Sequence, residues 1–257
     1  LIKSKVPWVD KYRPKKLDDI VQQDEIKTIL KKSLVCKNLP HLLLYGPPGT
    51  GKTSIILACC YELFGPKIFS DRVIELNASD ERGINIVRTK ITDFARKSLC
   101  NPDINYPSPD FKIIILDEAD AMTNEAQSAL RKVIEEFSST TRFCFICNYI
   151  NQIIDPIISR CMKFRFKPIL EKNIITKLEE ICLKENFNIE NKILKKIYYI
   201  SKGDVRKSIM ILQNLKYIYD FQDSKISVQD IYNMTGYVSK KLIKKIYMKC
   251  IDPSCNL

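Results

Sequence analysis

Residues 46–53 read Gly46-Pro47-Pro48-Gly49-Thr50-Gly51-Lys52-Thr53, directly after the apolar run Leu42-Leu43-Leu44-Tyr45 and before a helical pattern from Ser54 to Leu63. Strand, glycine-rich loop, lysine, hydroxyl residue and helix in this order are the context that a triphosphate-binding loop requires. Gly49 and Gly51 let the backbone curl so that its N–H groups and the following helix N-terminus face phosphate oxygens. Lys52 supplies a point charge to the β and γ phosphates, and Thr53 a hydroxyl for Mg²⁺. Gly46, Pro47, Thr50 and Ser54 complete the set of residues expected to line the nucleotide. The bland alternative, a glycine-rich turn that binds nothing, leaves the strand, lysine, threonine and helix unexplained.

A second stretch supports the first. Phe111-Lys112-Ile113-Ile114-Ile115-Leu116 is a β-branched run of the kind buried on both faces of a parallel sheet, and it ends in Asp117-Glu118-Ala119-Asp120. Acids at the carboxyl end of such a strand lie beside the nucleotide crevice. Asp117 is the expected Mg²⁺ group, acting directly or through water, and Glu118 the carboxylate that orients or deprotonates the water attacking the γ-phosphate. Alone, these residues would serve equally as a solvated helix start. Beside the loop at Gly46 they read as the hydrolytic half of an ATPase.

Working outward, the pattern predicts an extended arm with Pro7 and Pro14 and a helix over 24–34. The strand, loop and helix of the phosphate site follow, then a strand over 73–76 and a helix over 84–97. After a loop over 101–110 come the acidic strand, a helix over 124–137, and strands over 142–148 and 162–166. Alternating strands and helices imply an α/β domain with a parallel sheet covered on both faces, ending near Pro168. Beyond it, apolar positions recur at helical spacing over 173–185, 190–200 and 205–218, with Asp204 placed to cap the third, which reads as a small all-helical domain. The expected domains are 1–167, 168–236 and 237–257, the last holding one amphipathic helix that opens a further helical domain.

Charge permits a polyanion partner, since 42 Lys and Arg face 30 Asp and Glu for a formal net charge of +12. Much of the excess lies in the isoleucine- and asparagine-rich C-terminal part, so placement has to decide. One segment, Asn77 to Lys90, places it well: a strand runs through a polar loop into a helix and brings Arg82, Arg88 and Lys90 to a helix start, where N–H groups favour phosphate. No apolar run approaches the ~18 residues of a membrane span. Ten cysteines without regular spacing fit reduced thiols better than a disulfide framework. Cys144 and Cys147 form a C-x-x-C, but they lie in an apolar run that reads as an interior strand, and no second cysteine pair completes a zinc site. His41, the single histidine, is expected to serve packing or surface.

Together these residues resemble a known family. Pro7-Trp8-Val9-Asp10-Lys11-Tyr12-Arg13-Pro14, the phosphate loop, Leu76-Asn77-Ala78-Ser79-Asp80-Glu81-Arg82-Gly83-Ile84, the Asp117 to Asp120 box, Asn148, Ser159-Arg160-Cys161 and Gly203-Asp204-Val205-Arg206 are similar to the small subunits of replication factor C. These are AAA+ ATPases of the eukaryotic loader of the DNA sliding clamp, and the resemblance extends to about residue 236. The N-terminal box and the Ser-Arg-Cys motif distinguish clamp loaders within the AAA+ proteins.

The resemblance implies roles that the residues alone leave open. Asn148 is implied as the sensor orienting water beside Glu118, and Arg206 as the second sensor reaching the γ-phosphate. Arg160 is implied as the arginine finger acting on the ATP of a neighbouring subunit. Val9, Tyr12 and Arg13, with Val21, are implied as the adenine-side wall, and Asn77 as a polar switch restraining Glu118 until DNA binds. Arg82, Arg88 and Lys90 match the helix starts that track the phosphates of primer-template DNA inside a spiral of five related AAA+ subunits. ATP and Mg²⁺ are the implied cofactors, the sliding clamp, DNA and sister subunits the partners, and the nucleus the location, in replication and repair. The tail after Val238 is implied as the start of a collar. Against this stand a branch-migration helicase motor, for which a winged-helix domain would be expected, and a nucleotide-binding scaffold without turnover, which retention of Lys52, Thr53, Asp117 and Glu118 disfavours.

Overall fold

The computed structural model describes residues 6–78, 84–99, 101–222 and 226–251. In chain order the elements are α1 (Trp8–Lys11), α2 (Asp24–Cys36), β1 (Leu42–Tyr45), α3 (Lys52–Arg72), β2 (Val73–Asn77), α4 (Ile84–Arg96), β3 (Lys112–Asp117), α5 (Asn124–Phe137), β4 (Thr141–Cys147), α6 (Asp155–Ile158), β5 (Met162–Arg165), α7 (Glu171–Lys184), α8 (Asn191–Ser201), α9 (Val205–Gln222), α10 (Val228–Thr235) and α11 (Lys240–Ile251). The strands form one parallel sheet in the order β2-β3-β4-β1-β5. β4 and β5 therefore flank β1, the strand that feeds the phosphate loop, β3 lies next beyond β4, and the carboxyl ends of these parallel strands open on the same edge.

Why these runs became central strands follows from two-sided burial. Side chains alternate between faces with period two. Leu42, Leu44, Ile113, Ile115, Cys144 and Ile146 pack with Ile26 and Leu30 of α2 and Ile55, Ile56 and Phe64 of α3. Leu43, Ile114, Leu116, Phe143, Phe145 and Cys147 pack on the other face with Ile91 and Phe94 of α4 and Leu130, Val133 and Ile134 of α5. Three positions apart on a strand, Cys144 and Cys147 fall into these opposite clusters, where they cannot share a ligand. Burial pushes the Cys147 thiol up to about 12 and the Cys144 thiol well above its usual range.

Two cations, Lys112 buried and Arg142 half-buried, close the amino ends of the strands. Lys112 is essentially inaccessible, and its Nζ donates to Phe94 O (2.7 Å), Ala95 O (3.3 Å) and Lys97 O. Phe94 and Ala95 belong to the last turn of α4, where a helix has no internal donors left for its carbonyls, and Lys97 follows directly after it. Arg142 Nε donates to Leu39 O (2.6 Å), and its guanidinium lies 5.0 Å from the centre of the Phe111 ring.

The helix after the phosphate loop runs on past Leu63. Gly65 at φ +66° breaks it, Pro66 begins a second segment whose missing N–H costs nothing at a helix start, and the path continues to Arg72. A Cβ at Gly65 would lie 2.3 Å from the Tyr106 ring, so glycine is required there by both conformation and space.

The chain divides into two compact units, Arg13–Ile169 and a helical unit containing residues from Leu170 onward together with the arm up to Tyr12. The arm thus groups apart from the sheet, whereas a single span of 1–167 was expected. Trp8 explains this locally: its indole is buried, its backbone N–H donates to Gln213 Oε1 on α9 (2.9 Å), and its ring meets Tyr12 edge-on at 6.3 Å. Glu185 Oε1 then accepts from both Lys11 Nζ and Tyr12 OH, each at 2.6 Å. Helix α10 was absent from the sequence reading, although Ser227 and Asp230 form a reciprocal capping box at its start. Its successor α11 leaves Leu242, Ile243, Ile246 and Tyr247 exposed.

Candidate active site

The phosphate loop has the shape its glycines foretell. Gly46 adopts φ +142°, and a Cβ there would stand 2.3 Å from Phe166 O, so only glycine lets β5 approach. Gly51 adopts φ +91° in open space, so backbone conformation rather than crowding selects it. Thr50 is buried and braces the loop through Oγ1 to Pro47 O (2.9 Å). Helix α3 starts at Lys52 with no side-chain cap, which leaves its first N–H groups directed at the loop. Ser54 sits in the same first turn.

Around this loop the expected groups converge. Lys52 Nζ donates to Gly46 O (2.6 Å), Pro47 O (2.8 Å) and Asn148 Oδ1 (3.0 Å). Thr53 Oγ1 donates to Asp117 Oδ2 (2.7 Å). Asn148, just past β4, is held from below because Asp120 Oδ2 accepts from the N–H groups of Asn148 (3.0 Å) and Tyr149 (3.1 Å). Glu118 stands exposed at the strand end with φ +53°, a left-handed turn closed by Ala121 N–H to Glu118 O (2.8 Å). That conformation costs a non-glycine residue roughly 1 kcal/mol. It buries Ala119 and aims Asp120 under Asn148. The bracing role of Asp120 went unread in the sequence; its signal is a second aspartate three residues after Asp117.

Gln127 was likewise missed. It is buried on α5, donates through Nε2 to Met122 O (3.2 Å) and Gln152 O (2.9 Å), and accepts from Ile154 N–H (2.9 Å), which fixes the turn leading into α6. At the far end of α6, Arg160 donates through NH1 to Pro156 O (2.7 Å) and pairs through NH2 with Glu135 on α5.

Other expected residues are placed individually. Arg206 is an exposed residue in the first turn of α9, within the helical unit. Val9 and Tyr12 belong to that unit, while Arg13 and Val21 belong to the sheet unit. Val21 precedes Gln22 and Gln23, which both take positive φ ahead of α2. Asn77 ends β2 in register with Asp117. Lys90 is exposed on α4. Arg82 lies outside the described residues, as does the side chain of Arg88.

The donor set suits a hard cation with phosphate. A threonine hydroxyl and an aspartate oxygen 2.7 Å apart are oxygen ligands of the type Mg²⁺ takes alongside phosphate oxygens. Three of the oxygens that Lys52 reaches are neutral acceptors, which a phosphate oxygen can replace, and the glycine cradle leaves backbone room. The residues present therefore fit a magnesium-bound nucleoside triphosphate.

Comparison with known proteins gives the same picture. Residues 42–169 match the ATPase family associated with various cellular activities (AAA), and residues 176–216 the RCF1/5-like AAA+ ATPase lid domain. The chain is 46% identical over 252 residues to replication factor C subunit 4 of Arabidopsis thaliana, covering 97% of this chain and 74% of that protein. It is 50% identical over 251 residues to replication factor C subunit 2 of Saccharomyces cerevisiae, with 95% and 70% covered. For replication factor C subunit 4 of Homo sapiens the identity is 48% over 246 residues, with 95% and 67% covered. Among solved structures, the Thermotoga maritima RuvB Holliday junction branch migration motor superposes with a TM-score of 0.67 at 18% identity, over 94% of this chain and 74% of that one. At that identity the likeness is one of fold.

Proposed function

This chain belongs to the replication factor C small subunits, AAA+ ATPases of the clamp loader, and from that premise we propose that it binds ATP with Mg²⁺ at the Gly46–Thr53 loop and hydrolyses it within an assembled loader. The observation that carries the site assignment is the convergence of Lys52, Thr53, Asp117 and Asn148 at the carboxyl ends of three neighbouring strands. Bound Mg²⁺ would neutralise charge on the β and γ phosphate oxygens. Thr53 and Asp117 hold it, and Lys52 exchanges its loop carbonyls for phosphate. Asn148, braced by Asp120, orients the attacking water, and Glu118 takes up its proton.

Further roles rest on matching motifs. Val9, Tyr12, Arg13 and Val21 form the adenine-side wall, and Arg206 senses the γ-phosphate. Arg160 acts on a neighbour's ATP, which makes hydrolysis depend on assembly. Arg82, Arg88 and Lys90 contact phosphates of primer-template DNA while the loader places the sliding clamp. The partners are related AAA+ subunits in a hetero-pentamer, joined in part through a collar that α11 begins, and the location is the nucleus. Within the small subunits the chain corresponds to the human subunit 4. The branch-migration motor has only the fold in its favour, at 18% identity.

The test is Glu118→Gln in the assembled complex. The amide keeps the shape of the site but cannot accept the proton, so ATP binding should persist while hydrolysis falls by roughly 10²–10⁴-fold. Hydrolysis at the parent rate would remove Glu118 from the mechanism.

A further inference from the structure

Arg160 shares its carboxylate partner with a second arginine. Glu135 Oε1 accepts from Arg131 Nε, one helical turn earlier on α5 (3.2 Å), and pairs with Arg160 NH2 across from α6. The hydrogen bond from Arg131, with the nearby Arg160 charge, holds the Glu135 carboxyl below its usual range. The cluster thus contains two guanidinium groups and one carboxylate, an excess of one positive charge.

A guanidinium has five N–H donors in a fixed planar fork. Arg160 commits one to Pro156 O and one to Glu135 among the described residues, leaving Nε–H and a second hydrogen on each terminal nitrogen for another acceptor. Its plane is set from two sides, by a carbonyl of its own helix and by a side chain of the adjacent one. Were Glu135 alone present, its charge would largely cancel that of Arg160 for an approaching anion. Arg131 offsets that cancellation, so the cluster stays attractive to phosphate.

We propose that Glu135 is a positioning residue for Arg160, holding its guanidinium in a presented orientation and, with Arg131 as counter-charge, raising the rate at which it stabilises charge on the terminal phosphate of a nucleotide bound by the neighbouring subunit. The inference rests on the reading of Arg160 as a finger acting in trans. The physical reason is preorganisation. An exposed arginine must otherwise give up its rotamer freedom as it meets phosphate, and a misplaced donor forfeits much of its effect on the transition state. All three side chains are partly solvent-exposed, a setting in which such pairs add little to stability. Orientation is the effect the arrangement can deliver.

The experiment uses the assembled complex with hydrolysis blocked at every site except the one next to Arg160, including this chain's own through Glu118→Gln. Glu135→Ala should lower kcat at that neighbouring site about 10-fold without changing its KM, a smaller loss than the ~10³–10⁵ of a missing finger. Glu135→Gln retains an acceptor oxygen and should recover part of the loss. Glu135→Ala combined with Arg160→Ala should be no slower than Arg160→Ala alone, as expected when one residue acts through the other. Should Glu135→Ala disturb assembly, Glu135→Gln and its kcat against KM carry the test. An unchanged or increased kcat in both Glu135 variants, with Arg160→Ala still damaging the site, would overturn the role of Glu135 and leave the finger intact. If Arg160→Ala has no effect on the neighbour, the finger reading fails and the inference fails with it.

Discussion

The two ends of the sheet use similar side chains to opposite ends. At the amino ends of the strands, Lys112 and Arg142 give their hydrogens to main-chain carbonyls of α4 and of the segment before β1, and His41 Nδ1 accepts the N–H of Phe143 (3.1 Å). These bonds satisfy groups that no ligand would reach. At the carboxyl ends, Lys52 rests on Gly46 O, Pro47 O and Asn148 Oδ1, and Thr53 on Asp117. Two of those acceptors, Gly46 O and Pro47 O, belong to the phosphate loop itself and can give up the lysine to a better-charged partner. The difference shows why a parallel sheet puts its chemistry at one edge. Loops and uncapped helix starts gather at the carboxyl ends of the strands, whereas the amino ends receive helix C-termini whose carbonyls want permanent donors.

If the ends are separate in this way, Lys52→Ala and Lys112→Met should dissociate. Lys52→Ala should weaken ATP binding by roughly 10²–10³-fold, the loss of a desolvated charge-assisted contact, while the melting temperature moves little. Lys112→Met should do the reverse. Two carbonyls of the last turn of α4 and that of Lys97 just beyond it lose their donor, destabilising the fold by about 2–4 kcal/mol, and nucleotide affinity should hold below the new melting point. Calorimetric titration with ATP and thermal unfolding, run on both variants, read the two effects side by side. Comparable losses of ATP affinity in the two variants would break the comparison.

How much of this was legible in the sequence tracks the same divide. The phosphate edge was readable because its chemistry demands particular residue types in order: Gly46 to Thr53 and Asp117-Glu118 have few substitutes. Helix α5 was readable to its ends because Thr123 caps it and its apolar spacing is regular. What stayed hidden depends on contacts across the chain. Asp120 looks like any acid after a strand until β4 brings Asn148 over it. Trp8 of the arm binds Gln213, 205 residues away, a pairing that no local pattern encodes. Gly65-Pro66 reads as a helix stop, yet proline is at home in a first turn and the path resumes. Arg131, Glu135 and Arg160 each pass for surface charge until α5 and α6 set them together.

The smallest effect concerns His41, and it sharpens the comparison through pH. Burial, reinforced by the Arg142 charge, lowers the His41 imidazole from its ordinary 6.5 to about 4. The neutral ring accepts the Phe143 N–H through Nδ1, and a proton on that nitrogen would remove the acceptor. In the folded chain the ring stays neutral down to about pH 4, whereas the unfolded chain takes up a proton below its ordinary value near 6.5. The unfolded state therefore binds more protons in that interval, so this contribution is complete above about pH 6.5 and is lost as pH falls toward 4. The ring is only half-buried, and after discounting for screening by the water that reaches it the loss should be about 1–2 kcal/mol. His41→Asn supplies an amide oxygen that can accept the same N–H and does not titrate. Chemical denaturation across this range should show the parent losing stability relative to His41→Asn as pH falls, with the gap complete near pH 4. ATP affinity measured at neutral pH should be the same in both, because His41 serves the amino edge of the sheet. Parallel stability curves would mean that the imidazole titrates normally and that Phe143 N–H finds its acceptor elsewhere.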